Sequence, residues 1–143
     1  MIIAIDGPAG SGKSTVAKIV AKKLNFRYID TGSMYRSVAW KSLQKNTALE
    51  DKEAVANIAL KTKIELVCSE GGQLVFVDDK NITDQLKMEV ISRGAAIVAA
   101  QPIIREIMTT KQRQLGKLGK VVMDGRDIGT VVFPQADKKF FLD

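Results

Sequence analysis

The chain has 143 residues, no histidine, one cysteine, and 22 basic against 16 acidic side chains, a net charge of +6. A single domain's worth of core is available at this length, and a positive field favours polyanionic ligands. The composition excludes internal disulfides, histidine-based nucleophilic catalysis and the usual catalytic zinc sites, and it fits a reducing compartment. Phosphoryl transfer survives this exclusion because it is catalysed mainly by positioning and charge neutralisation.

The apolar run Ile2-Ile3-Ala4-Ile5-Asp6 predicts a buried strand, and Gly7-Pro8-Ala9-Gly10-Ser11-Gly12-Lys13-Ser14-Thr15 follows it directly. This is the phosphate-loop pattern G-x-x-x-x-G-K-[ST] in the strand–loop–helix setting where its mechanism works. The glycines let consecutive backbone amides converge on phosphate oxygens, and the start of the following helix adds unpaired N–H groups. Lys13 then reaches the β- and γ-phosphates, and the Ser14 hydroxyl is placed to ligate Mg²⁺. A nucleoside triphosphate is therefore the expected ligand.

Lys13 to Leu24 has the apolar spacing of a helix packed on a sheet, with Lys18, Lys22 and Lys23 on its polar side. Phe26 to Asp30 predicts a second strand. Asp30-Thr31-Gly32-Ser33 supplies capping residues for a helix through about Gln44, and Ala54 to Ala59 mark another helix. Ile64–Cys68 and Gln73–Val77 flank Ser69-Glu70-Gly71-Gly72, a hairpin signal, so residues 63–84 are expected to form a small inserted β unit. Cys68 lies in this apolar stretch and is expected to serve packing. Helical periodicity returns from Leu86 to Ala100 and from Pro102 to about Leu115. Val121–Met123 and Lys139–Leu142 predict short strands joined by the polar connector Asp124-Gly125-Arg126-Asp127-Ile128-Gly129-Thr130.

Strands alternating with helices predict an α/β fold, a parallel sheet flanked by helices, with ligands beyond the carboxyl ends of the strands. The phosphate loop, Asp30-Thr31-Gly32 and Asp124-Gly125-Arg126-Asp127 each follow a strand, so all three should open on one rim. A phosphate loop together with two loops that each carry a carboxylate and an arginine, Arg36 lying one turn into its helix, is what a two-substrate phosphoryl transfer site needs. The later connector, taken alone, also reads as a plain turn. No charged leader with an apolar core opens the chain and no apolar run is long enough to span a membrane, so a cytoplasmic protein without membrane contact is expected.

Three runs give the chain a close resemblance to the bacterial cytidylate kinases (CMP kinases) of the nucleoside monophosphate kinase group. They are Ile5–Thr15, Tyr28-Ile29-Asp30-Thr31-Gly32-Ser33-Met34-Tyr35-Arg36, and Met123–Pro134. The phosphate loop alone marks a large class, whereas the other two runs, in this order, point to this family. The resemblance covers essentially the whole chain and implies a P-loop NTPase-type kinase core over residues 1–143. It implies ATP-dependent transfer of a phosphoryl group to CMP or dCMP.

Gly7 to Thr15 would hold ATP; Lys13, Arg36 and Arg126 would be catalytic. Thr31, Gly32, Tyr35, Arg36, Arg105, Arg126 and Asp127 would bind CMP, with Arg105 and Asp127 on the cytosine edge. Mg²⁺ would arrive with ATP on Ser14; Asp30 or Asp124 either contributes through water or only caps the backbone locally. Ala96 stands where family members usually carry a serine that contributes to base recognition. Family members also continue well beyond this length into a mobile lid with arginines. The resemblance therefore implies an N-terminal portion that binds nucleotide but turns over poorly, an arginine on the transferring group being worth about 10³–10⁵ in rate. A monomer is expected at full length, and self-association for the chain as it stands.

Two other classes share the phosphate loop. One is a kinase acting on UMP, AMP or a small alcohol, separable by ADP production with each acceptor. The other is a nucleotide-binding regulatory module whose basic surface meets nucleic acid. The scarcity of aromatics among the basic residues argues against nucleic-acid binding, since single-strand binders need stacking platforms.

Overall fold

A computed structural model describes residues 1–70 and 72–143; Gly71, inside the expected hairpin turn, lies outside the described residues. The elements in chain order are β1 (Ile2–Asp6), α1 (Lys13–Leu24), β2 (Arg27–Asp30), α2 (Thr31–Gln44), α3 (Lys52–Lys61), β3 (Ile64–Ser69), β4 (Gly72–Val77) and β5 (Lys80–Asn81). A 3₁₀ turn (Gln85–Lys87), α4 (Glu89–Ala99), α5 (Pro102–Gly116), β6 (Val121–Gly125), a π-helical turn (Ile128–Val132) and β7 (Lys138–Phe141) complete the chain. The chain is α/β: a four-stranded parallel sheet, a separate three-stranded antiparallel sheet, and helices. This architecture is consistent with a P-loop kinase fold. Two compact units result, one of residues Met1–Thr31 with Thr109–Asp143, the other of Gly32–Met108.

The first unit holds the parallel sheet, ordered β2-β6-β1-β7. Ile3 and Ile5 of β1, Val122 of β6 and Tyr28 of β2 pack against Ala17 and Ala21 of α1. The small alanines let the helix approach the sheet closely, and Val20, Phe26 and Leu142 close the cluster's margin. Strands β1 and β6 are almost wholly buried, as expected for central strands of a parallel sheet. Because β6 pairs in parallel with both β1 and β2, the carboxyl ends of three strands lie side by side.

The second unit places Val75 and Val77 of β4 against Trp40 of α2, Ile82, Leu86 and Ile91. Lys41 of α2 bridges to Asp78 at 2.8 Å, and that partner together with the Lys63 amide holds the Asp78 carboxyl below the usual range. β4 turns into β5 through Asp78 and Asp79, both left-handed (φ 48° and 70°), with Val77 paired to Lys80. That is the backbone of a type I′ hairpin carried by two aspartates, residues that tolerate left-handed backbone.

Several boundaries differ from the sequence expectation. The helix expected over Leu86–Ala100 is broken: Met88 is extended (φ −66°, ψ 139°), and α4 starts after it. Leu86 and Ile91 still enter one core cluster, which is why the apolar spacing ran through the break. Asp124 and Gly125 belong to β6, and Ile128–Val132 is helical, where a polar connector was expected. Helix α2 begins directly at Thr31, whose hydroxyl donates to the Asp124 carbonyl rather than capping the helix.

Ile5 is 1% exposed at the centre of the first unit's core. Ile5→Ala is expected to lower unfolding free energy by about 2–5 kcal/mol. Urea denaturation followed by circular dichroism checks this, and a loss under about 1 kcal/mol would show that the site collapses around the change.

Candidate phosphate-binding site

The phosphate loop is shaped by its glycines. Gly12 stands at the N-terminus of α1 with φ 86°, a left-handed conformation that side chains with a Cβ rarely adopt. It turns the chain so that Lys13, Ser14 and Thr15 form the helix's first turn, where N–H groups have no intrahelical partner. The Lys13 ammonium folds back to donate to the Pro8 carbonyl at 3.3 Å, so the loop and its lysine form one small ring of polar groups. The Ser11 hydroxyl oxygen is buried in this loop with no hydrogen-bond partner among the described residues.

Beside the loop, the ends of β2 and β6 bring Asp30 opposite Asp124. Asp124 is buried, 1% exposed, and its Oδ2 accepts from the Tyr28 hydroxyl at 2.8 Å. The Ser14 hydroxyl lies near enough to both groups to favour their charged forms. Thr31 Oγ1 donates to the Asp124 backbone carbonyl at 2.8 Å. Gly125 permits this approach, since a Cβ there would meet Thr31 Oγ1 at 2.5 Å and Ile128 Cδ1 at 2.8 Å. Ser14, Tyr28, Asp30, Thr31 and Asp124 thus form one cluster at the strand ends.

Burial, and then the neighbouring Asp30 charge, push the Asp124 carboxyl up to about 7, against the pull of Tyr28, Ser14 and Lys13. Burial and the same two carboxylates push the Tyr28 phenol far above its usual range, so it remains a donor. Two adjacent carboxylates with a hydroxyl nearby make this end of the strands rich in oxygen. Among the described residues no group of three or more His, Cys, Asp or Glu forms a metal-binding cluster.

Arg126 is exposed and Asp127 half-buried, both just beyond the end of β6. Asp127 precedes the π-helical turn, and its carbonyl accepts from the Val131 and Val132 amides at 2.9 and 3.1 Å. Asp6, which sequence reasoning did not single out, accepts from the amides of Ile128 and Gly129 at 2.8 Å each. Its signal was a carboxylate on the last residue of a buried strand, where only a paired charge is tolerated. Tyr28 was likewise missed, its hydroxyl being indistinguishable in sequence from an ordinary core tyrosine.

In the second unit, Tyr35 and Arg36 lie in the second turn of α2, behind Gly32. Arg36 Nη2 donates to Ser33 Oγ at 3.1 Å. The Arg105 guanidinium lies 5.8 Å from the centre of the Tyr35 ring, and its Nη1 donates to the Ala99 carbonyl at 3.2 Å. The unit therefore brings an aromatic face and the Arg105 guanidinium together. No helix among the described residues is long and apolar enough to cross a membrane.

The family model described as Cytidylate kinase matches residues 3–143. Cytidylate kinases of Geobacillus sp. (strain WCH70) and Bacillus subtilis (strain 168) are 52% and 51% identical over 140 residues, 98% of this chain. The chain spans 62% of the length of these two relatives. The cytidylate kinase of Caldanaerobacter subterraneus subsp. tengcongensis is 50% identical, with 61% of its length covered.

The raised Asp124 carboxyl makes stability depend on pH. Its proton is held more tightly in the fold than in the unfolded chain, where the value is near 3.8. The stabilising contribution is complete below that value and disappears as pH rises through about 7. Urea midpoints of the nucleotide-free protein are expected to fall between pH 5 and pH 8, and to fall less in Asp124→Asn. Equal falls in both proteins would show that other groups set the dependence.

Proposed function

Since the chain belongs to the cytidylate kinase family, we propose that it binds ATP and CMP or dCMP, and contributes to transfer of the γ-phosphoryl group to give ADP and CDP or dCDP. The observation that carries this reading is the phosphate loop opening α1, with Ser14 near the buried Asp124 toward the end of the neighbouring strand. Residues Gly7 to Thr15 hold the ATP phosphates through backbone amides, and Lys13 follows the charge moving between β- and γ-phosphates.

Thr31, Arg36 and Arg126 take the acceptor's phosphate. Guanidinium groups suit that task because they stay charged and donate paired hydrogen bonds to phosphate oxygens. Gly32 and Tyr35 line the acceptor nucleotide. Arg105 donates to the acceptors of cytosine, and the Asp127 carboxylate accepts from its exocyclic amino group. Lys13, Arg36 and Arg126 are the catalytic residues, acting on charge rather than on protons. No side-chain base is needed, because the attacking phosphate oxygen is already anionic, which suits a chain without histidine.

Magnesium fits the oxygen donors present. Ser14 would ligate it directly, with Asp124 or Asp30 through water, and few protein ligands are needed when phosphates and waters complete the shell. When bound it would neutralise charge on the β- and γ-phosphates.

Calorimetric titration of two variants tests the assignment. Lys13→Ala is expected to weaken ATP binding by about tenfold or more while leaving CMP binding nearly intact, as loss of a charge-assisted contact implies. Asp127→Ala is expected to do the reverse. Equal losses for both ligands in either variant would contradict the division into donor and acceptor groups. ADP production with CMP, UMP, AMP and shikimate identifies the acceptor, and a preference for any acceptor other than CMP or dCMP would overturn the choice.

A further inference from the structure

Arg126 and Asp127 are held on both sides from a single place. On one side, the Gly7 amide donates to the Gly125 carbonyl at 3.1 Å. On the other, Ile128 and Gly129 donate their amides to Asp6, one to each carboxylate oxygen, at 2.8 Å. Asp6 and Gly7 are consecutive, the last residue of β1 and the first of the phosphate loop. Three hydrogen bonds from this dipeptide therefore bracket the two residues between them.

The turn that follows is braced at its far end too. Arg113 donates from Nε to the Val132 carbonyl at 3.0 Å and from Nη2 to the Val131 carbonyl at 2.8 Å. A carboxylate sits on the turn's free amides and a guanidinium on its free carbonyls, the groups a short helical segment leaves unpaired. Asp6 is only 7% exposed, so its charge is compensated chiefly by these amides. Space around it is limited, because a Cβ on Gly129 would lie 3.4 Å from Asp6 Oδ2.

We propose that Asp6 is a positioning residue that fixes Arg126 and Asp127 to the root of the phosphate loop. Acceptor recognition then depends on a carboxylate belonging to the donor loop's own strand. The inference rests on the reading that Arg126 and Asp127 bind CMP. Asp6→Asn tests it, because one acceptor becomes an NH₂ facing a backbone N–H while size and shape are kept. A merely structural carboxylate would lower stability without separating the two ligands.

For Asp6→Asn, verified as folded by circular dichroism, CMP affinity is expected to fall about tenfold or more, with ATP affinity within about threefold. Amide exchange at Ile128 and Gly129 is expected to accelerate by about tenfold or more, with Val122 and Met123 unchanged. Parallel loss of both ligands, or unchanged CMP affinity and exchange, would overturn the proposal. Should the unaltered chain bind no CMP, the acceptor reading fails, and the exchange result alone decides whether Asp6 fixes this segment. Should Asp6→Asn fail to fold, Arg113→Ala replaces it. That variant is expected to weaken CMP by about threefold with ATP unchanged, as loss of ordinary hydrogen bonds implies; equal effects on both ligands again overturn it.

Discussion

Strand β6 runs between β1 and β2, parallel to both, with Asp124 level with Ile5 on one side and Asp30 on the other. Parallel pairing in that register makes three strands end together, so the loops that follow them must share one edge of the sheet. The edge is polar because each strand ends in a carboxylate or beside one: Asp6, Asp30 and Asp124. Asp6 and Asp124 are buried and need defined partners. Asp6 has backbone amides, and Asp124 has the Tyr28 hydroxyl. The apolar packing of Ile3, Ile5, Val122 and the α1 alanines holds this edge at fixed spacing.

The chemistry follows from the same constraint. With no histidine, the chain has no side chain whose ordinary pKa lies near neutrality. What it has is a glycine-rich loop, a lysine, a buried carboxylate pushed up by burial and its neighbour, and arginines on the segments that follow. Amides, lysine and arginine are groups suited to stabilising and orienting anions. Phosphoryl transfer between nucleotides needs little else, since neither attacking nor leaving oxygen requires a proton relay. In the second unit, Arg36 resting on Ser33 and Arg105 near the Tyr35 ring offer planar cations and an aromatic face, which suit a base and a phosphate.

Local pattern made much of this visible before the fold. The phosphate loop and α1 carry a strand, glycines and 3.6-residue periodicity in unbroken succession, so Lys13 and Leu24 were both legible as helix limits. The β3–β4 hairpin was marked by its alternating strands, whereas β5 was hidden because its turn uses Asp78-Asp79 instead of a glycine pair. The break at Met88 was masked by Leu86 and Ile91 packing into one cluster. The role of Asp6 was invisible for a different reason: its hydrogen bonds join residues 122 and 123 positions apart. Nothing local signals such a pair; only the register of β1 on β6 creates it.

The ligand proposed for these groups is a cytosine mononucleotide. Titration calorimetry of CMP against UMP on the unaltered chain measures this most directly, because the two ligands differ only at the base edge assigned to Arg105 and Asp127. Tighter binding of CMP by about tenfold or more is the expected result, the discrimination of roughly 1–3 kcal/mol that one paired polar contact supplies. Equal affinity for both, or preference for UMP, would contradict it.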